Sequence, residues 1–257
     1  MKRSLVVVRS TLLMMLAAVL LAPGKATAQQ ADGWQVDFIP FYFWAASTGG
    51  EMSAGSATVP FYLDFSQAKD NLGGAFTFHL EASKGRWGLL TDLSFLRLTS
   101  GADFTIGGQT VTGDIELENT IFEAGASYLV SEPSQFRVIG GVRTYSLAPT
   151  ATFVVFDVTR TPVDASQTSA NPFVGFTLRP QLSEKWRLLS RADIGAGDAD
   201  LTWSAELGIG YRFKPWGGVA IGYKGLGMDL QKDDAVVKGY DVVQHGPFFG
   251  FNLHWGR

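Results

Sequence analysis

The chain has 257 residues, of which 46% are hydrophobic and 13% aromatic, with 30 glycines, no cysteine and a formal net charge of −3. Without cysteine there is neither a disulfide framework nor a thiolate metal site. The acidic balance and the lack of any basic run argue against a nucleic-acid partner.

The N-terminus carries Lys2 and Arg3, then an apolar run from Leu12 to Ala22, then Ala26-Thr27-Ala28. A basic start, a short apolar stretch and an A-x-A site are the pattern of a cleavable secretion signal, and the run is too short to span a bilayer as a helix. We therefore expect residues 1–28 to be a signal peptide and 29–257 a single domain. Losing Lys2, Arg3, Arg9 and Lys25 leaves 17 basic against 24 acidic residues, a net of −7.

From Trp34 onward the chain alternates. Trp34, Val36, Phe38, Pro40, Tyr42 and Trp44 occupy one face of the first segment, and Gln35, Asp37 and Ile39 the other; Phe41 and Phe43 break the polar character of that second face. Residues 47–72 read as a long loop with room for a hairpin. Residues 73–83 place Phe76, Phe78 and Leu80 outward and Thr77, His79 and Glu81 inward. Residues 87–98 place Trp87, Leu89, Leu93 and Phe95 outward and Asp92 inward, with Arg97 outward at the strand end, where a long side chain can reach headgroups. Residues 117–130 put Phe122 and Tyr128 outward and Glu123 inward; residues 135–147 put Phe136, Val138 and Val142 outward and Arg137, Arg143 and Tyr145 inward. The segments 170–182, 186–196, 201–213, 217–229 and 246–255 continue the rhythm, with Arg179, Arg187, Arg191, Asp193, Glu206, Arg212 and Lys224 on the inward face.

Period-two alternation marks strands. Leu201 to Phe213 sustains it over 13 residues, whereas a typical soluble strand has about 5–6 residues and a membrane-crossing one about 9–11. No stretch after residue 28 is long and apolar enough for a helical span, so the remaining membrane architecture is a closed barrel. The expected fold is all-β: a transmembrane antiparallel up-and-down barrel of ten strands, with eight or twelve as alternatives because 50–65, 101–115 and 150–158 have strand character of their own. Connections alternate between long (47–72, 99–116, 148–169, 230–245) and short (84–86, 131–134, 183–185, 214–216), with 197–200 short where a long one belongs. Trp87, Trp186 and Trp216 each sit beside a short turn, as an aromatic girdle requires.

The segments FYFWAASTGG, KGRWGLLTDLSFLRL, NPFVGFTLRP, LTWSAELGIGYRF, VAIGYKGLGMDL and HGPFFGFNLHW resemble a widespread, largely uncharacterised family of Gram-negative outer-membrane β-barrel proteins. The resemblance implies a small barrel of that type and carries no activity with it. The C-terminus departs from the family pattern: Trp255 is followed by Gly256 and Arg257, whereas barrel-assembly signals end on an aromatic residue.

The inward set holds Asp37, Glu81, Asp92, Glu123, Asp193 and Glu206 against Arg137, Arg143, Arg179, Arg187, Arg191, Arg212 and Lys224. A ten-strand barrel is narrow, and charges of both signs inside it are expected to pair and fill it. The function expected is an integral outer-membrane protein with a narrow, salt-bridged lumen, structural or passing small solutes. A gated channel and an enzyme at the barrel rim are the alternatives. No G-x-S-x-G or H-E-x-x-H motif is present, so the reading is of a non-enzyme without cofactor or metal. His79 reads as lumen packing, while His245 lies at the rim near Asp233 and Asp241. The cluster Asp229, Asp233, Asp234 and Asp241 matches no calcium-loop spacing. The apolar loop residues Val59, Phe61, Tyr62, Leu63 and 153–156 read as covering the barrel mouth. Expected partners are outer-membrane lipid, lipopolysaccharide and the barrel-assembly machinery, around a monomer.

Overall fold

The computed structural model describes residues 33–54, 57–106, 109–155, 158–164, 167–231 and 237–256. The expected signal peptide and the pair Asp233-Asp234 lie outside them. Fourteen strands and one short helix follow in order: β1 (Gln35–Ile39), β2 (Tyr42–Trp44), β3 (Ser47–Ala54), β4 (Ala57–Leu63), α1 (Phe65–Asp70), β5 (Leu72–Lys84), β6 (Trp87–Ile106), β7 (Gln109–Ser131), β8 (Phe136–Val155), β9 (Val158–Asp164), β10 (Gln167–Leu178), β11 (Trp186–Gly195), β12 (Leu201–Lys214), β13 (Gly217–Gln231) and β14 (Val237–Trp255).

The wall runs β1-β5-β6-β7-β8-β10-β11-β12-β13-β14 and closes where β14 pairs with β1. It is a ten-stranded antiparallel barrel in which every wall strand finds hydrogen-bonding partners on both sides. Residues 101–106 and 148–155 continue β6 and β8 rather than adding wall strands. β6 and β8 reach 20 residues each and β7 reaches 23, about twice what a bilayer crossing needs. The long connections are thus largely strand: β9 extends the sheet from β8, and the β3–β4 hairpin extends it from the upper half of β14. Between β4 and β5 sits α1, started by a capping box. Asp64 accepts from the Gln67 N–H at 3.0 Å, and the Gln67 side chain accepts from the Asp64 N–H at 3.2 Å. Donation by the Ser66 hydroxyl and the Gln67 N–H holds the Asp64 carboxyl below the usual carboxylate range.

The first strand departs from its expected phase. Val36 pairs with Trp255 and Phe38 with Leu253, but Tyr42 pairs with Gly250 and Trp44 with Phe248. One extra residue has entered at Pro40-Phe41, where the missing proline N–H ends β1. A one-residue slip exchanges the faces. Tyr42 therefore turns into the lumen and is 5% exposed, with Trp44 beside it, while Phe41 and Phe43 turn outward at 50% and 48%. On its other side β2 is held by a side chain instead of a ladder: the Tyr42 N–H donates to Thr77 Oγ1 at 2.9 Å, and the Thr77 hydroxyl donates back to the Tyr42 carbonyl.

The outer face is apolar. Leu89, Val174, Leu207, Ile221, Tyr223 and Phe249 all point away from the barrel and are exposed. At the short-turn end Trp87 meets Tyr128, Trp186 meets Tyr211 and Trp216 meets Phe213, with ring centroids 4.9, 4.7 and 6.0 Å apart. Trp34 and Trp255 join this belt from the chain ends. Inside, the Phe248 ring lies over β12 and β13 at Gly208 and Gly222. A Cβ on Gly222 would stand 2.7 Å from Phe248 Cε1 and 2.5 Å from the Leu207 carbonyl oxygen, so only glycine lets the ring and the neighbouring backbone approach. Gly222→Ala is expected to destabilise the barrel by about 1–3 kcal/mol through overpacking, read as a lower urea midpoint in lipid vesicles at unchanged slope.

Candidate functional site

The lumen is stratified along the barrel axis. Its middle tier is built by inward positions of β7, β8 and β11, which the register brings to one level. Arg143 Nε donates to Glu123 Oε1 at 2.7 Å and its Nη2 to Asp193 Oδ1 at 2.7 Å. Arg191 Nη2 donates to Glu123 Oε2 at 2.6 Å and its Nε to Asp193 Oδ2 at 2.8 Å. Each arginine touches both acids, so four charges alternate around a closed ring. The Phe173 ring lies beneath both guanidinium carbons at 5.2 and 5.4 Å, a cation–π contact that adds attraction without water. Thr202 Oγ1 takes a further Arg143 N–H at 3.1 Å. Arg143 is 0% and Glu123 1% exposed.

A second unit stands beside this ring. Asp92 accepts from the Tyr42 hydroxyl at 3.0 Å, lies 3.5 Å from Lys224 Nζ and meets His79 Nδ1 at 3.1 Å. The other ring nitrogen of His79 meets Glu81 at 3.1 Å. A ring between two carboxylates satisfies both when each nitrogen carries a proton. Lys224 also faces the rings of Tyr42 and Trp44, 5.4 and 5.2 Å from their centroids. Nearer the short turns, Arg179 makes a two-pronged contact with Glu81 at 2.5 and 2.6 Å. Asp37 gathers Arg187 at 3.5 Å, Asn252 at 3.2 Å and His254 at 3.2 Å.

The thirteen inward charges thus divide. Ten sit in ion pairs: Asp37, Glu81, Asp92, Glu123 and Asp193 with Arg143, Arg179, Arg187, Arg191 and Lys224. Glu206, Arg137 and Arg212 make no ion pair among the described residues. Glu206 stands in register between Arg191 and Lys224. Arg137 instead donates at 3.5 Å to the Arg86 carbonyl and to Ser127 Oγ.

Toward the long hairpins the charges give way to an apolar cluster of Ile121, Tyr145, Ala199, Leu226, Met228, Leu230 and Val242, with Trp44 and Leu147 against it. Toward the short turns the lumen opens into a chamber of about 80 Å³ and then a vestibule of about 460 Å³.

No protein-family model and no curated protein matches the sequence. Among solved structures, the outer-membrane protease OmpT from Escherichia coli superposes with a TM-score of 0.52 at 12% identity, over 90% of this chain and 100% of that one. The chain has the fold of an outer-membrane β-barrel. The translocator domain of the autotransporter NalP from Neisseria meningitidis aligns at 12% identity over 96% of this chain and 97% of that one, with a TM-score of 0.47. Ail, the attachment invasion locus protein of Yersinia pestis, aligns at 9% identity over 86% of this chain and 99% of that one, with a TM-score of 0.37.

Outside the lumen, His245 Nδ1 meets the Tyr223 hydroxyl at 2.6 Å and its ring stacks on Tyr223 at 6.0 Å. Asp229 and Asp241 pair in register at the top of β13 and β14. Tyr62 is 63% exposed on the β4 hairpin. The Val59 and Phe61 side chains and those of 153–155, like Phe156 as a whole, lie outside the described set. On the outer face Arg97 contacts Glu118 at 2.7 Å and Glu116 at 3.0 Å.

Reading the first segment in a single phase hid Tyr42 and Trp44, the aromatic half of the Lys224 site. The available signal was the pair Phe41 and Phe43 at supposedly inward positions after Pro40.

Glu123→Gln would leave two buried guanidiniums against one buried carboxylate. The expected loss is about 3–5 kcal/mol, the cost of breaking a buried pair from one side. Arg97→Gln, on an exposed cluster, should cost no more than about 1 kcal/mol. Parallel urea unfolding of the two variants checks the contrast.

Proposed function

We propose that this protein is an integral barrel of the bacterial outer membrane whose lumen is closed by its own ion pairs, serving as a structural element or passing only small solutes. The observation that carries the reading is the alternating ring of Glu123, Arg143, Asp193 and Arg191, with Arg143 fully buried. A water-filled pore would leave such groups hydrated. Here they hydrate one another, and the apolar cluster above them adds a second stopper. The apolar outer face and the tryptophan belt suit contact with lipid and, on the outer leaflet, lipopolysaccharide. A sheet that closes on itself needs no second copy to satisfy its edges, which favours a monomer inserted by the barrel-assembly machinery.

A gated narrow channel is the second reading, favoured by the chamber and vestibule that lead to the ring from one side. The rim offers less for enzyme chemistry: the described contact of His245 is with Tyr223, not with a carboxylate that would orient it as a general base.

Planar-bilayer recording separates the first two readings. The plugged barrel is expected to give no unitary steps, whereas steps whose size changes in Arg191→Gln or Arg187→Gln would establish the channel. Lipid A alteration or peptide cleavage in expressing cells, lost in folded His245→Ala, would instead establish an enzyme.

A further inference from the structure

The vestibule at the short-turn end has a sided charge distribution. Arg137, Arg187 and Arg212 come from β8, β11 and β12, and Arg179 directly follows β10; these four strands are consecutive in the wall. Strands about 4.8 Å apart place the four along an arc of roughly 14–15 Å. The lining carboxylates Asp37 and Glu81 belong to β1 and β5, and Glu132 to the turn at the mouth. The two middle arginines are taken: Arg179 grips Glu81 in two-pronged fashion, and Arg187 contacts Asp37. The two flanking ones meet no carboxylate among the described residues. Among the described residues Arg137 makes two hydrogen bonds at 3.5 Å, to Arg86 and Ser127, and is drawn to Glu81 and Asp37 only across space. Arg212 faces the like charge of Arg187 and, more weakly, the opposite charge of Asp37. Asp37 and Glu81 are hydrogen-bonded by His254, Asn252 and His79 as well, so they attract the flanking arginines across space without a hydrogen bond to either.

We infer that this vestibule is a binding site for a small solute bearing oxyanion groups, carboxylate or phosphoryl, held between Arg137 and Arg212. The guanidinium is a rigid fork of N–H donors whose geometry matches carboxylate and phosphate oxygens, and here two such forks face a shared cavity. Its volume of about 460 Å³ falls in the range of about 300–1,000 Å³ found for small-molecule sites. The vestibule opens at the short turns, so the solute reaches it from that side. The inference goes beyond the plugged-barrel reading and does not depend on it, because it needs the vestibule and not the ring.

The test is calorimetric titration of the folded protein in detergent micelles with sodium succinate and, separately, with inorganic phosphate. The proteins compared are wild type, Arg137→Gln, Arg212→Gln, the double variant, and Arg97→Gln as an outer-face control. Saturable one-site binding of either probe is expected, weakened at least tenfold in the double variant, by a smaller factor in each single variant, and unchanged in the control. Which probe binds identifies the oxyanion. No saturable binding of either probe to wild type, or equal affinity in wild type and double variant, overturns the inference. Among the described residues neither arginine makes an ion pair, so the variants should fold, and a heat-dependent shift in gel mobility confirms it. Should the double variant fail that check, the single variants decide on the same criterion: any loss of affinity beyond that of the control upholds the site, and none overturns it. Bilayer conductance has no bearing on these outcomes, so failure of the plug and failure of the site can be told apart.

Discussion

Two carboxylates and two guanidiniums sealed in the middle of a narrow lumen are tolerable only as a set. Taking one ion out of water costs several kcal/mol, and no single contact in this barrel offsets that. In the ring of Glu123, Arg143, Asp193 and Arg191, each ion touches both members of the opposite sign, and Phe173 supplies a π face to both cations. The arrangement works because the wall register fixes β7, β8 and β11 at one height, and the register is fixed in turn by the apolar face that must stay outside. Outer apolarity and inner pairing are therefore one constraint seen from two sides.

The one place where the wall breaks step serves the same end. Inserting a residue at Pro40-Phe41 costs the ladder some regularity. It also turns Tyr42 and Trp44 into the lumen, where their rings and the Tyr42 hydroxyl face Lys224 and Asp92. Without that slip the lysine would keep its acid neighbours but have no aromatic wall. The Thr77 side chain stands in for the lost ladder, so the backbone groups are not left bare.

The two ends of the lumen differ in kind. Above the ring, leucines, Met228 and Tyr145 fill the space; below it, arginines outnumber carboxylates around open volume. The lumen is thus filled unevenly, apolar on one side of the ring and arginine-rich on the other. The wall strands that rise beyond bilayer length carry additional sheet, including β3, β4 and β9, on the opposite side.

The amino-acid pattern alone determined the architecture: ten alternating segments, long and short connections in turn, tryptophans beside the short turns, and thirteen charges on inward positions. Those features are local, since parity along a strand decides which side chains share a face. The pattern showed two aromatics, Phe41 and Phe43, on a face otherwise polar, but read the segment in one phase and missed the slip. Which charges meet was beyond it. Pairing joins residues far apart, 150 positions in Asp37 with Arg187, and depends on how far neighbouring strands are staggered when the sheet closes. The same closure decided that, among the described residues, Glu206, Arg137 and Arg212 stand outside the ion pairs and that long loops continue as strands. Stagger and closure are properties of the whole cylinder, and no stretch of sequence carries them by itself.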